Sequence, residues 1–399
     1  MPKTSSLGAA DLVRAVADAA ERWTDADFPA RVRTAAAIVA RTGYTLPVVE
    51  FALDRLFRPL RAGTLERAIC EELGSLDVLD RFVDRRRAYP VGKVVVISSH
   101  TTIGVAIVPA IYALCAKCTV FVKDLEDALV AAYFQTLVQE RPELAAFVQA
   151  RSWHAGSDVQ GDRELPLADA VVAFGRDETL AAIRETLRPN ARFVGYGRRA
   201  SVGYVARDAL DDETKAREIA RGVARDVVLY DGEGCMSLHA LFLERGGGVA
   251  AVAFARLLIE ALEEASIEFP AGRLDPRVST YGAGAMFRAA AGRGSVLRTR
   301  AGDAMLIVEP PLSEPPPFLP RILPIYAVDE AADCEEYVRS HGLPLEAFAV
   351  AQPSDDLAAL AARLGAVRLA RFGEMQAPSP ALHHGGRSRI ADFVRWVDA

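Results

Sequence analysis

A cysteine set between glycines is the residue of this sequence best suited to covalent chemistry. Cys235 lies in the segment DGEGCMS at 231–237, where the glycines allow a tight turn that leaves backbone amides exposed. A thiolate in such a turn can attack an acyl carbon and hold the acyl group as a thioester. A free cysteine is more often a small buried hydrophobic residue, so the local motif leaves both interpretations open.

Three further candidate positions follow short runs rich in β-branched residues. His100 follows VGKVVVISS, Lys123 ends TVFVK, and Gly175 ends ADAVVAFG with Arg176 next to it. If these runs are parallel strands, their carboxyl ends meet at the edge where such sheets bind ligands, so we expect these side chains to cluster. A strand-end lysine alone is more often a solvated charge. The sequence contains neither the GxGxxG dinucleotide fingerprint nor the GxxxxGK phosphate loop.

Two other groupings of reactive side chains carry less chemistry. Cys115 and Cys118 form a single CxxC pair, and His383 and His384 are adjacent near the C-terminus. A structural zinc ion needs four ligands, and neighbouring histidines have poor geometry for binding one ion together. We therefore predict no metal site, and we expect the two histidines on a helix surface or in a substrate loop.

The composition is that of a globular chain with more than one core. The 399 residues are 51% hydrophobic and 25% charged, and a chain of this length divides into two or three units. No apolar stretch reaches the roughly 18–20 residues that span a bilayer, and the N-terminus lacks the pattern of a signal peptide. Five cysteines argue against a disulfide framework and favour a reducing, cytoplasmic setting. The net charge of −6 and the short RRR cluster at 85–87, interpreted as a solvated helix end, argue against nucleic-acid binding.

The spacing of apolar residues predicts helices first and alternating strands and helices afterwards. Three-and-four spacing predicts that residues 1–90 are helical, with a last helix over 64–86. From residue 91 the β-branched runs alternate with helical patterns, which is typical of parallel βαβ units. The predicted fold class is therefore α/β, with a doubly wound sheet, a second α/β unit and a helical N-terminal region.

Taken in order, these segments resemble the aldehyde dehydrogenase superfamily, and within it the acyl-CoA reductases of the bacterial bioluminescence type (the LuxC-like family). The resemblance runs from about residue 91 to the C-terminus. It is carried by DAVVAFGRDETLAAIRETLRPNARFVGYGRRASVGYV, by LYDGEGCMSLH around the cysteine and by the tail MQAPSPALHHGGRSRIADFVRWVD. It implies an aldehyde-dehydrogenase-like fold with an NAD(P)-binding domain at 91–228, a catalytic cysteine domain at 229–372 and a C-terminal return segment at 373–399.

The resemblance also implies roles for individual residues. Cys235 falls on the catalytic cysteine, and Lys123 falls on the strand-end lysine that binds the adenosine ribose of the cofactor. Glu126 falls where relatives often hold the ribose hydroxyls, which hints at NADH, whereas bioluminescence-type reductases generally use NADPH. Gly175, followed by Arg176, falls in the segment that passes the pyrophosphate. The implied cofactor is therefore NADPH or NADH.

Two departures from the superfamily pattern bear on the chemistry. Hydrolytic aldehyde dehydrogenases carry an oxyanion-binding Asn 23 positions before the lysine, where this chain has His100. Their general-base Glu lies in an ELGGK-like block, for which this chain has FVGYGRRASV at 193–202, without a carboxylate. Without that base, a thioester on Cys235 should be poorly hydrolysed, which favours exchange with a thiol. A second family Glu would lie near Glu314, which is not clearly in register.

The sequence thus predicts NAD(P)H-dependent reduction of an acyl-CoA or acyl-carrier-protein thioester to an aldehyde. Cys235 would be the nucleophile, and His100 would help its amide bind the oxyanion and would donate a proton. Within the superfamily the alternatives are an acyl-phosphate reductase or another acylating aldehyde dehydrogenase. An alternative of a different class is an impaired relative that keeps the fold and acts as a binding partner. A homo-oligomer is expected.

Overall fold

The chain folds into two compact units. The computed structural model describes residues 7–99, 102–125, 127–153, 163–273 and 275–399. The first unit lies within Met1–Thr42, Val49–Arg198 and Ser379–Ala399, and the second within Gly43–Val48 and Arg199–Pro378.

The described residues form helices and strands that we number in chain order. The helices are α1 Ala9–Arg22, α2 Pro29–Thr42, α3 Leu46–Phe57, α4 Ala62–Leu73, α5 Ile107–Cys115, α6 Leu129–Glu140, α7 Asp177–Glu185, α8 Glu213–Val228, α9 Ala251–Glu268, α10 Pro276–Ala290, α11 Ala331–Ser340 and α12 Asp355–Arg363. The strands are β1 Arg86–Pro90, β2 Lys93–Ile97, β3 Thr119–Lys123, β4 Val148–Arg151, β5 Ala170–Phe174, β6 Arg192–Tyr196, β7 Ala200–Val205, β8 Leu238–Glu244, β9 Ser295–Arg298, β10 Met305–Val308, β11 Ile322–Val328, β12 Leu345–Val350, β13 Arg368–Arg371 and β14 Val394–Asp398.

The N-terminal helices pack around a buried tryptophan. Helix α1 presents a buried apolar stripe at three-and-four spacing, the pattern of a helix with one face in a core. Trp23, which follows it, stacks on Phe57 with ring centroids 4.9 Å apart and lies near Tyr133. Its indole N–H donates to Thr136 Oγ1 at 3.1 Å. These aromatic contacts join the N-terminal helices to α6.

The prediction of one helix over 64–86 is wrong beyond Leu73. Helix α4 ends there because Gly74 takes a φ of +84°, a left-handed conformation that glycine adopts without cost. Strand β1 then pairs antiparallel with β14, and the predicted helix end at RRR lies partly in that strand. A partner more than 300 positions away leaves no trace in local periodicity, which is why the strand was missed.

The first unit contains a five-stranded, fully parallel sheet with the order β4-β3-β2-β5-β6. The order reverses between β2 and β5, since successive strands are added to one side of β2 and then to the other. This is the doubly wound arrangement, and its ligand crevice lies outside the carboxyl ends at that reversal. The sequence prediction of a doubly wound sheet beginning near residue 91 is therefore confirmed.

The second unit is built on a seven-stranded sheet with the order β13-β12-β7-β8-β11-β10-β9. All neighbouring pairs are parallel except β10 with the edge strand β9. The division into units falls between Arg198 and Arg199, whereas the sequence suggested a domain boundary at 228/229. The difference arises because β7 is hydrogen-bonded between β8 and β12, which ties it and the following α8 to the cysteine-bearing unit. The functional domain limits stay a prediction.

The second unit has a buried cation at the start of β11. Arg321 Nε lies 2.8 Å from Asp231 Oδ1, and the two side chains are 1% and 9% exposed. Its Nη1 contacts Asp303 Oδ2 at 3.3 Å, and its Nη2 donates to the carbonyl oxygens of Val228 and Phe269. Arg321 therefore fastens the end of α8, the end of α9 and the segment that leads to the cysteine.

Replacing Arg321 with Met should strongly destabilise this unit. The buried Asp231 carboxylate would lose its ion-pair partner, which costs about 3–5 kcal/mol and should lower the Tm by about 10 °C. The matched control is Arg245→Met, which breaks an exposed pair with Asp329 and should cost under about 1 kcal/mol. Thermal unfolding followed by circular dichroism measures both. Equal melting temperatures for the two variants would contradict the role of Arg321.

Candidate active site

Cys235 lies in a sharp turn between α8 and β8. The residues Tyr230, Asp231 and Gly232 have φ values of 53°, 50° and 74°. Two consecutive non-glycine residues in the left-handed region are uncommon, and such strain persists only where the surroundings hold it. The Arg321–Asp231 pair supplies that restraint, together with the Gly272 N–H, which donates to Asp231 Oδ2 at 3.1 Å.

A side chain from the tail segment closes the turn from its other end. Gly234 N donates to Ser237 Oγ at 3.1 Å, and Ser237 N donates to the Gly234 carbonyl at 2.9 Å. Gln376 Nε2 donates to the same hydroxyl oxygen at 2.8 Å. A Cβ on Gly234 would lie only 3.2 Å from Ser237 Oγ, so a side chain at this position would crowd the hydroxyl that closes the turn. The turn is thus held by hydrogen bonds on both sides of Cys235.

Ser201, in β7, holds the backbone of the cysteine itself. Its Oγ donates to the Cys235 carbonyl at 2.7 Å and accepts from Ala347 N at 3.1 Å. Its own N–H donates to His239 Nδ1 at 3.1 Å. Because Nδ1 accepts, the ring proton of His239 is assigned to Nε2. Ser201 therefore links the cysteine turn to β8 and to β12.

Strand β8 carries a bulge beside Ser201. Ser201 is paired with Leu238, and Val202 is paired with Ala240. His239 is therefore an extra residue on its strand. A bulge redirects a side chain out of the regular alternation. The buried imidazole lies four positions after Cys235.

Strand β12 carries a second bulge on the opposite side of β7. Ala200 is paired with Leu345, and Ser201 is paired with Ala347, so Glu346 is the extra residue. Its side chain is buried although it is a carboxylate. Two polar residues at bulges, His239 and Glu346, therefore lie on either side of the start of β7, next to the cysteine turn.

The surroundings of the Cys235 thiol raise its pKa and so oppose its ionisation. Enclosure of the sulfur by protein, followed by the negative charge of Glu346, raises the pKa of Cys235 to about 12. The backbone amides of Cys235 and Met236, and the Arg199 guanidinium, act in the opposite direction on that pKa. Cys235 is nevertheless partly exposed, whereas Cys115, Cys118 and Cys334 are buried. Cys235 is therefore a thiol that would have to lose a proton in order to act as a nucleophile.

Two arginines stand near this turn. Arg199 Nε lies 3.6 Å from Glu346 Oε2, and its Nη1 donates to the Leu345 carbonyl at 3.1 Å. Arg368 Nη1 contacts Met236 Sδ at 3.4 Å and donates to the Met375 carbonyl at 2.9 Å. Both guanidiniums come from the amino-terminal ends of strands, as do the cysteine turn and Glu346. The candidate site thus lies at the amino edge of the seven-stranded sheet.

The predicted cofactor residues lie at the carboxyl edge of the sheet in the first unit. Lys123 ends β3, with Nζ 4.6 Å from the ring centroid of Trp153. Gly175 and Arg176 join β5 to α7. Strands β3 and β5 are separated by β2, so their ends are about 10 Å apart at the usual strand spacing. His100 and Glu126 lie outside the described residues.

The predicted cofactor positions lie near the reversal of the strand order. Gly175 lies at the point where the order reverses, the usual crevice for a ligand in such a sheet. Helix α7 has Asp177 and Glu178 in its first turn, and their charges disfavour a phosphate on its amides. Lys123 and Arg176 carry positive charges at these strand ends. Cofactor binding at these positions stays a prediction.

An aromatic stack lies at the same edge. Tyr196, the last residue of β6, stacks on Phe174 at 4.9 Å and on His384 at 4.5 Å between ring centroids. His383, next to it, is largely exposed. The tail histidines lie in the loop before β14, and only His384 joins the stack.

Sequence reasoning missed His239, Ser201 and Glu346. A signal was present for two of them, because each is a lone polar residue in an apolar strand, in LHALFL and in LEAFAV. The bulges that redirect them depend on pairing between distant strands and have no local signature.

Among the described residues, no group of three or more His, Cys, Asp or Glu side chains is arranged to hold a metal ion. Within the same part of the chain, the helices lack the combination of length and apolar character needed to cross a membrane.

The chain resembles solved structures of aldehyde dehydrogenases in fold. An oxidoreductase from Marinobacter aquaeolei superposes with a TM-score of 0.74 at 13% identity, covering 99% of this chain and 87% of that one. An aldehyde dehydrogenase from Brucella melitensis biovar abortus 2308 gives 0.72 at 14% identity, covering 98% and 85%. An NAD-dependent aldehyde dehydrogenase from Sinorhizobium meliloti gives 0.69 at 14% identity, covering 98% and 82%. The predicted aldehyde-dehydrogenase-like fold is therefore confirmed.

Family membership follows from the sequence. A search of curated proteins returned no match. A sequence model of the family described as acyl-CoA reductase (LuxC) matches residues 6–396. The match includes the N-terminal helices, for which the sequence alone had suggested no relationship. The chain belongs to the acyl-CoA reductase (LuxC) family, and its fold is that of the aldehyde dehydrogenases.

Proposed function

We propose that this enzyme reduces an acyl thioester to an aldehyde, with the acyl group carried on Cys235 and NAD(P)H as the reductant. The observation that carries the proposal is that Cys235, a partly exposed residue, lies between the left-handed turn at 230–232 and β8. Its backbone is restrained by Ser201, Ser237 and the Arg321–Asp231 pair. A nucleophile that is already held in place loses little further conformational freedom on reaching the transition state.

The proposed first step is acyl transfer to sulfur. Cys235 Sγ forms a bond to the acyl carbon, the bond to the carrier sulfur breaks, and the carrier leaves as a thiol. The Cys235 amide, which already faces its own sulfur closely enough to lower its pKa, would stabilise the oxyanion of the tetrahedral intermediate. His100 is proposed as a second donor. Coenzyme A or an acyl carrier protein would be the carrier.

The proposed second step reduces the acyl group on Cys235. Bound NAD(P)H supplies the hydride. The resulting thiohemiacetal collapses, the carbon–sulfur bond breaks, and the aldehyde leaves while the thiolate takes up a proton. We propose Lys123, Glu126, Gly175 and Arg176 as the residues that hold the cofactor, which is NADH or NADPH.

The chain should favour exchange with thiols over hydrolysis. The stretch at 193–202, where the hydrolytic relatives carry their base, has no carboxylate. Glu346, on β12, forms an ion pair with Arg199. Acyl phosphates remain a competing substrate class of the same superfamily, and a homo-oligomer stays a prediction.

Substitution of Cys235 with Ala should abolish the reaction. Oxidation of NADPH that depends on acyl-CoA should fall at least about 1000-fold, since removing a nucleophile removes the covalent route. Cys70→Ala is the matched control because Cys70 is also partly exposed, and it should retain full activity. The assay is loss of absorbance from NADPH against a panel of acyl-CoA, acyl-carrier-protein and acyl-phosphate substrates. Turnover by the Cys235→Ala enzyme would refute the assignment, and activity with acyl phosphates alone would change the substrate class.

Replacement of Lys123 with Met should weaken cofactor binding without removing the nucleophile. A hydrogen bond to a charged group contributes about 1.5–3 kcal/mol, so the Kd for NADPH should rise about 10- to 100-fold. Fluorescence titration of the nicotinamide measures the Kd, with Lys215→Met on the exposed face of α8 as the control. If both variants bind NADPH equally well, Lys123 does not contact the cofactor.

A further inference from the structure

The nucleophile has a proton that must leave during attack. The sulfur of Cys235 is enclosed, and burial together with Glu346 raises its pKa to about 12. Only a minute fraction is therefore thiolate at neutral pH. The segment at 193–202 supplies no base. A proton acceptor from another part of the second unit would resolve this difficulty.

The sheet brings one carboxylate to the cysteine turn by an irregularity in strand pairing. Glu346 is the extra residue of the bulge between β12 and β7. The next residue, Ala347, donates its N–H to Ser201 Oγ, and that hydroxyl in turn donates to the Cys235 carbonyl. The backbone of the carboxylate and the backbone of the nucleophile are thus joined through a single serine hydroxyl.

The charged and titratable groups around the thiol come from several elements. Arg199, just before β7, pairs with the Glu346 carboxylate at 3.6 Å. Arg368 on β13 contacts Met236 and lies within electrostatic reach of Glu346. Tyr230, in the turn itself, is buried and its pKa is raised. Of these groups, Glu346 is the carboxyl group whose charge raises the pKa of the Cys235 thiol.

Three other acid–base groups lie in or near the turn. His239 accepts the Ser201 N–H at Nδ1 and carries its proton on Nε2, so the neutral ring has no acceptor left. Asp231 is held by Arg321. Glu233 is exposed as a residue, and partial burial of its carboxyl group, followed by the charges of Asp231 and Asp275, raises its pKa. Glu346 is the carboxylate whose charge acts most strongly on the Cys235 thiol.

We propose that Glu346 accepts the proton of the Cys235 thiol as the sulfur attacks the acyl thioester, and then returns that proton to the departing carrier thiolate. The carbon–sulfur bond to the enzyme forms as the bond to the carrier breaks, and no proton is gained or lost overall. This inference rests on the proposed acyl transfer to Cys235. The Arg199 guanidinium, 3.6 Å from the Glu346 carboxylate, would keep that carboxyl group oriented.

The wild-type enzyme provides the first test. Acylation of Cys235 by octanoyl-coenzyme A is followed by rapid quench and intact mass, and alkylation by iodoacetamide is followed by peptide mapping. Alkylation depends on free thiolate, so its rate should rise about tenfold per pH unit from pH 7 to 9.5. Acylation assisted by Glu346 draws on the whole thiol population and should stay within about twofold across that range. Acylation that also rises tenfold per unit would overturn the proposal.

The Glu346→Gln variant provides the second test, since its two readouts should move in opposite directions. Acylation by octanoyl-coenzyme A at pH 7.5 should slow by about 100-fold or more, the usual contribution of a general base. Alkylation by iodoacetamide should become several-fold faster, because removing the negative charge lowers the thiol pKa. Glu335→Gln, which removes a carboxylate paired with Arg339 and Arg363 on the same unit, should change neither rate.

The outcomes separate this inference from the proposed function. Wild-type enzyme that never becomes acylated by octanoyl-coenzyme A would overturn both. Acylation of wild-type and Glu346→Gln enzyme at the same rate would overturn the role of Glu346 alone. If Glu346→Gln slows acylation and alkylation together, the residue is structural and the proposal fails. If that variant does not fold, the wild-type pH comparison still decides.

Discussion

A buried ion pair fixes the one part of the backbone on which the candidate site depends. Arg321 and Asp231 are almost fully enclosed, and the arginine also bonds to carbonyls at the ends of α8 and α9. Breaking such a pair leaves buried charges without compensation. Any other conformation of the turn that contains Asp231 would therefore be higher in free energy. That turn contains two left-handed non-glycine residues, Tyr230 and Asp231, and Cys235 lies four positions after the second of them. The position of the thiol is therefore set by interactions that do not involve the thiol.

The two units present their candidate residues at opposite kinds of sheet edge. In the first unit, Lys123 and Gly175 lie at the carboxyl ends of parallel strands, where helix starts and strand-order reversal create a crevice. In the second unit, the cysteine turn, Arg199, Glu346 and Arg368 lie at the amino ends. The amino edge is used because Cys235 comes before its strand and not after it. Two bulges at this edge redirect His239 and Glu346, which regular pairing would have kept in the sheet alternation.

The sequence predicted correctly those elements that depend on interactions between residues close together in the chain. The β-branched runs before Lys123 and Gly175 are strands, and the resemblance of the segment around Cys235 identified the family correctly. Strands β1 and β14 were missed because each is a strand only by pairing with the other, and more than 300 residues separate them in the sequence. Glu346 was missed for a related reason, since a bulge is a property of two paired strands. The roles of His100 and Glu126 stay predictions, because both residues lie outside the described part of the chain.

The most direct test of the account is to follow the acyl group itself. The enzyme is mixed with octanoyl-coenzyme A without reduced cofactor, and its mass and tryptic peptides are examined before NADPH is added. We expect one octanoyl group on Cys235 and one equivalent of free coenzyme A, followed by discharge of the group as octanal when NADPH is supplied. Steady release of octanoic acid before NADPH is added would indicate a hydrolase. An acyl group on another residue, or none at all, would contradict the central role of Cys235.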